Sequence, residues 1–268
     1  MNERQLTDLQ RAVKLLENPS FGAKVADIVG LPIEKSIALL PNSGQQLIGK
    51  ATHKSILAAL NVAVKTMGHH DPVSGSPPPE SSNWWHIAAT TCTGAAGGAF
   101  GLPALAIELP VTTTIMMRSI ADVARSEGAD LRSPEVQLQC VSVLAMGGRT
   151  TSDDASEVGY FVAREAMTRA VAEATAYIAK SGLEKKGAPA LVRLILAVTE
   201  RFSISVTEKA AAQAVPIIGA IGGALINTVF MDHFQDMARG HFTVLRLESE
   251  LGPEVIKAKY AELRNALS

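Results

Sequence analysis

The sequence predicts an all-α protein, a multi-helix bundle that carries two Gly-rich apolar helical hairpins. Three observations lead there. Apolar residues recur at spacings of three and four along most of the chain, the mark of a helix with one buried face. No stretch of convincing length alternates apolar and polar residues with the period of two that a half-buried strand requires. Proline and glycine fall mainly at the ends of the periodic stretches, where helices start and stop.

Residues 3–17 form the first expected helix, with Leu6, Leu9, Val13 and Leu16 on one side. Asn18 and Pro19 end it, because the residue before a proline is pushed out of the helical region. Short helical pieces follow over 20–40, interrupted at Gly30 and Pro32, and a longer helix covers 44–67. Residues 68–83 (GHHDPVSGSPPPESSN) have the Pro, Gly and Ser density of a flexible loop. They divide an N-terminal helical arm, 1–67, from a helical body, 84–268. His69 and His70 stand in that loop with no ligand set beside them. In the body, 111–126, 134–147, 155–180, 189–208 and 253–267 read as helices by period. Pro253 opens the last, where its missing N–H costs nothing.

The charge balance, 25 Lys+Arg against 26 Asp+Glu, offers no global field for a polyanion and argues against a nucleic-acid partner. Aromatics are only 4% of the residues, so small aliphatic side chains must build a close, smooth core. A mean hydropathy of +0.17 with 19% charged residues requires the apolar residues to be concentrated somewhere. Cys92 and Cys140 lie in apolar helical surroundings without zinc spacing, which reads as burial. The N-terminal residues are charged and amphipathic and do not resemble a secretory signal, so a cytoplasmic protein or one at the cytoplasmic face is expected.

Two runs hold the missing apolar content. Residues 87–107 and 210–231 contain no charged residue, are dense in glycine, and border or contain Pro103, Pro110 and Pro216. Glycine at such spacing lets helix backbones approach closely, which serves membrane helix pairs and buried soluble hairpins alike. Residues 210–231 are also long enough to span a bilayer, so two membrane spans are an alternative. Trp84 and Trp85 open the first run as an aromatic anchor at a membrane interface would. Lys180, Lys185 and Lys186 form a basic loop able to meet anionic head groups. Each run leads into an amphipathic helix, and the junctions echo one another at an offset of 114 residues: Met117, Asp122, Ala124 and Arg125 match Met231, Asp236, Ala238 and Arg239. Duplication and a shared packing rule both account for that echo. Either way, each half places Asp and Arg at i, i+3.

The stretches GLPALAIELPVTTTIMMRSIADVARSEG (101–128) and VTEKAAAQAVPIIGAIGGALINTVFMDHFQDMARGHF (206–242) resemble the EcsC protein family, and the similarity runs from about Gln45 to Gly252. The resemblance implies a cytoplasmic or membrane-associated protein without a settled activity. Its context is a namesake encoded beside an ABC transporter linked to protein secretion. The expected partners are therefore membrane lipid or a membrane protein complex such as a transporter. No cofactor is implied. The loose peptidase label that some members carry is the basis for the hydrolase alternative.

The residues that would carry chemistry are few. Glu108, between Ile107 and Leu109, must reach water or pair with a cation, and Arg118 is the partner expected to fold back and lock the hairpin. Glu108, His233 and Asp236 are the catalytic candidates, converging on one pocket if this is a hydrolase. The alternative makes Glu108, Arg118, Asp122, Asp232, Arg239 and His241 a structural polar network. His233 and His241 are eight residues apart, about 12 Å along a helix, and cannot share one ion. No metal is expected; Asp232, His233 and Asp236 are the residues that would hold one. No nucleophile elbow, phosphate loop or dinucleotide fingerprint occurs.

Overall fold

A computed structural model describes residues 1–17, 20–66, 102–147, 159–181, 188–215 and 219–267. Among these residues there are ten helices and no strand. They are α1 (Glu3–Leu16), α2 (Phe21–Val29), α3 (Ile33–Ala38), α4 (Asn42–Thr66), α5 (Leu102–Ser126), α6 (Pro134–Met146), α7 (Gly159–Ser181), α8 (Pro189–Gln213), α9 (Gly219–Leu251) and α10 (Pro253–Asn265).

Local chemistry explains the boundaries. At the start of α1 the Asn2 side chain accepts from the Gln5 amide and the Gln5 side chain accepts from the Asn2 amide, each at 2.8 Å, a reciprocal capping box. Gly30 ends α2 in the left-handed conformation, φ 71°, which an L side chain rarely adopts. Pro134, Pro189 and Pro253 each occupy the first turn of a helix, where no donor is lost. α5 differs from expectation. Rather than resuming after Pro110, it runs unbroken from Leu102 through that proline. Pro110 has no N–H for the Ala106 carbonyl. One turn on, the Thr113 and Thr114 hydroxyls donate to the Leu109 and Pro110 carbonyls at 2.7 and 2.8 Å.

Three relations set the layout. α5 and α9 are parallel, since Ser119 meets Gln235 at 2.8 Å and, further along both, Glu127 meets Arg246 at 2.9 Å. α9 turns back on α8: Phe202 lies 5.4 Å from Phe234 between ring centroids, and the Lys209 ammonium lies 4.9 Å from the Phe230 ring. α1 runs antiparallel along α9 through Gln5–Glu250 and Asp8–Arg246, both 2.8 Å. At its C-terminal end α1 comes so close that a Cβ on Gly240 would fall 2.5 Å from Leu16 Cγ.

One continuous apolar cluster draws on nine of the ten helices, from Leu9 and Phe21 through Met116, Leu144 and Phe202 to Phe234 and Tyr260, and Ile33 of α3 packs against it. The segment read as an N-terminal arm is part of it, with Leu9, Val13, Phe21, Val25 and Ile56 wholly buried. The apolar run 210–231 is not one rod. α8 ends at Gln213 and α9 begins at Gly219, so the run supplies the end of one helix and the start of the next.

Candidate functional site

Glu108 sits in the second turn of α5, facing inward, and its partner is Lys209 near the end of α8. Nζ and Oε1 are 2.5 Å apart, with the two side chains 0% and 4% exposed. Burial pushes the Lys209 ammonium below its ordinary pKa, and Glu108 opposes that fall. The Phe230 ring below Lys209 offers its electron-rich face to the ammonium. The second oxygen of Glu108 has no hydrogen-bond partner among the described residues. Arg118, expected to be that partner, is instead exposed further along α5. Lys209 escaped the sequence reading because Arg118 was nearer in the chain. The available signal was symmetry of position: Glu108 and Lys209 each stand beside a chargeless run, with opposite sign.

The other candidates are engaged separately. His233 Nε2 donates to the Gly147 carbonyl at 3.0 Å, and its ring packs on Phe21 and Phe234. Lys209 lies against the ring of Phe230, Phe230 against Phe21, and Phe21 against His233. Asp236 faces Arg239 at 3.3 Å and Lys24 at 3.9 Å. Burial, and after it the nearby Asp232 charge, hold its carboxyl above the usual range. Asp232 is exposed. Among the described residues no three His, Cys, Asp or Glu side chains are grouped to hold a metal. The Asp–Arg spacing at the two echoing junctions forms ion pairs in both helices, Asp122–Arg125 at 2.8 Å and Asp236–Arg239 at 3.3 Å.

His241 belongs to a buried network that sequence reasoning found only in part. Its Nε2–H donates to Gln139 Oε1 at 3.2 Å, and its Nδ1 accepts from the Tyr160 hydroxyl at 2.8 Å. Burial, with the Arg164 charge adding to it, lowers the pKa of His241 to about 3, so the ring is neutral. Tyr160 stacks on Tyr260 at 5.7 Å, and Arg164 makes a two-bond pair with Glu248 at 2.8 and 2.7 Å. A cleft of 660 Å³ opens beside this Arg164–Glu248 pair, and another of 430 Å³ beside Arg11 and Arg246. Cys140 is buried, and its thiol is pushed up by desolvation. Cys92, His69 and His70 lie outside the described residues.

Of the residues read as membrane contacts, Trp84, Trp85, Lys185 and Lys186 lie outside the described residues. Lys180 is exposed at the end of α7, which pairs with the start of α8 through Glu173–Arg193 at 2.6 Å. The other end of α8, a 25-residue helix, lies about 37 Å away, beside the starts of α5 and α9. At the apolar end, Ile107 (76% exposed), Val111 (45%) and Leu225 (48%) stand out into solvent on the first turns of α5 and α9. Sequence reading located the two runs but not which of their residues face outward.

Fold and site together describe an all-α bundle with exposed aliphatic side chains at the starts of α5 and α9 and a buried ion pair beneath them. The EcsC protein family model matches residues 3–247, and the chain belongs to that family. The match takes in the N-terminal helices, which the sequence resemblance had left out. No curated protein and no solved structure matches the chain.

Proposed function

We propose that this EcsC family protein is a non-catalytic accessory factor that binds the inner face of the cell membrane peripherally, setting its apolar end into the lipid beside a membrane complex such as a transporter. One observation carries the reading: α5 and α9 change from apolar to charged at a common level. The outward face of α5 reads Ile107, Val111 and then Arg118, and that of α9 reads Leu225 and then Asp232. The helices are parallel and level at Ser119 and Gln235, so the two changes fall within about one helical turn of each other. A flat polarity boundary across separate helices suits a bilayer surface. Each large aliphatic side chain withdrawn from water favours the bound state by about 1.5–3 kcal/mol at full burial. Three of them support reversible anchorage.

Length argues against spans. From Gly219 to Met231, α9 rises about 19 Å before the exposed Asp232, short of the ~30 Å hydrocarbon core. In α5 the stretch Ala104–Ser126 is long and apolar enough to cross, but 56% of its most apolar window is packed inside the bundle, and Arg118 is exposed along it. The hydrolase alternative lacks comparable support, since Glu108, His233 and Asp236 have separate partners.

Detergent-free fractionation followed by flotation on liposomes tests the reading. The wild-type protein is expected to float and to be released by a carbonate wash. Ile107→Asp/Leu225→Asp is expected to stay at the bottom of the gradient with an unchanged helical spectrum and melting temperature. A wild-type protein that never floats, or a double variant that floats as well as it does, would refute the proposal. Resistance to carbonate would replace it with a spanning topology.

A further inference from the structure

Lys180, one of the basic residues that sequence analysis assigned to lipid contact, and the exposed aliphatic residues at the starts of α5 and α9 lie toward opposite ends of α8. That separation bears on which part of a lipid is recognised. On the three helices that form the apolar end, the charged residues are few and accounted for. Residues 102–117 of α5 contain one, Glu108, and residues 210–231 contain none. Glu108 is neutralised by Lys209 in the interior, where neither reaches a head group.

The only other charged side chain in the last turns of α8 is Glu208, a carboxylate. It packs against the backbone of Gly22, where a Cβ would come 2.5 Å from its Oε1, and it feels Glu34. The exposed charges near the apolar end are of both signs: Glu34 and Lys35 on α3, close to Glu208, Arg118 on α5 and Asp232 on α9. Lys24, on the neighbouring α2, is turned toward Asp236 at 3.9 Å.

We infer that the apolar end engages the acyl-chain region of a bilayer and needs no anionic head group, so that neutral lipid is a sufficient partner; the inference rests on the membrane reading above. Head-group attraction at a membrane surface requires clustered Lys or Arg and fades with added salt. Burial of aliphatic side chains requires neither and does not weaken with salt. Lys180, at the far end of α8, is left away from a bilayer that holds the apolar end.

The experiment floats the full chain on vesicles of phosphatidylcholine alone and on vesicles with added phosphatidylglycerol, each at about 50 and about 500 mM salt. Alongside it runs the variant Lys180→Ala/Lys185→Ala/Lys186→Ala. The bound fraction is expected to agree within about twofold across both lipids and both salts, because no counter-charge is engaged. The triple variant is expected to bind like the wild type. Flotation seen only with the anionic vesicles, or lost at high salt, or abolished in the triple variant, would overturn the inference while leaving membrane binding intact. Absence of flotation on either vesicle would remove the membrane reading itself, and the inference with it.

Discussion

Lys209→Met converts the buried ion pair into a lone buried carboxylate, the perturbation whose size the structure best defines. At 2.5 Å, and with an effective dielectric of about 20, the attraction between Nζ and Oε1 is roughly 7 kcal/mol before desolvation is counted. Desolvation takes back several kcal/mol per ion, so the intact pair is close to neutral against an apolar replacement. Removing one member is different. Glu108 Oε2 already has no hydrogen-bond partner among the described residues, and Oε1 would lose its bond from Lys209. The expected cost is about 4 kcal/mol, within the range for a broken buried pair. For a chain of this size that lowers Tm by about 8–16 °C. Glu108→Gln should cost less, because burial already drives Lys209 toward its neutral form, which needs no counter-ion. The double variant Glu108→Gln/Lys209→Met should recover most of the loss, giving a coupling energy of about 2 kcal/mol or more in a double-mutant cycle. Urea unfolding followed by circular dichroism measures all four proteins. A Lys209→Met loss below about 1 kcal/mol, or single-variant costs that simply add, would mean that the pair does not form and that α5 and α8 meet some other way.

Two further outcomes follow from close packing and from titration. Gly240→Ala places a methyl group 2.5 Å from Leu16 Cγ and forces α1 away from α9, at about 1–3 kcal/mol. Adding Leu16→Ala should return part of that loss, read as a higher unfolding midpoint than the two single costs would give. Burial, followed by the Glu34 charge, raises Glu208 to about 7 in the folded chain, so the folded state holds a proton that the unfolded state releases above its ordinary value of 4.5. Its contribution to stability is therefore full below about 4.5 and is lost as pH rises through about 7. Glu208→Gln should remove that decline, so melting curves of the variant and the wild type should diverge most at mildly alkaline pH. A wild type no less stable relative to the variant at high pH would contradict the buried placement of Glu208.

Much of the fold was legible because helix ends carry their own chemistry. Asn18–Pro19, Gly30, Pro134 and Pro253 mark where the chain leaves or enters a helix, and the apolar periods between them fix which face is buried. Pro110 misled for a physical reason. A proline inside a helix removes one backbone bond, here to the Ala106 carbonyl, and kinks a helix as readily as it ends one, and α5 runs on through it. The candidate site was less legible. Glu108 was recognisable as a charge that must be paired, but its partner lies 101 residues away, and pattern along the chain does not report which helix comes alongside. The Tyr160–His241–Gln139 network is hidden for the same reason: its members come from α7, α9 and α6, each an ordinary polar residue in its own helix.

The internal echo acquires a physical meaning from the parallel arrangement of α5 and α9. Met117 and Met231 are both buried, and the Asp and Arg that follow each form their own i, i+3 pair. Contact between Ser119 and Gln235 brings the matched stretches side by side rather than to opposite ends of the bundle. Two parallel helices that share a sequence plan also share its direction, so the apolar start of each points the same way. An antiparallel pair built from the same segments would have placed one apolar start at either end and left no common polarity level. Whether the plan arose by duplication or by a common packing rule, it is the parallel pairing that gathers Ile107, Val111 and Leu225 at one end, with the Glu108–Lys209 pair buried beneath them.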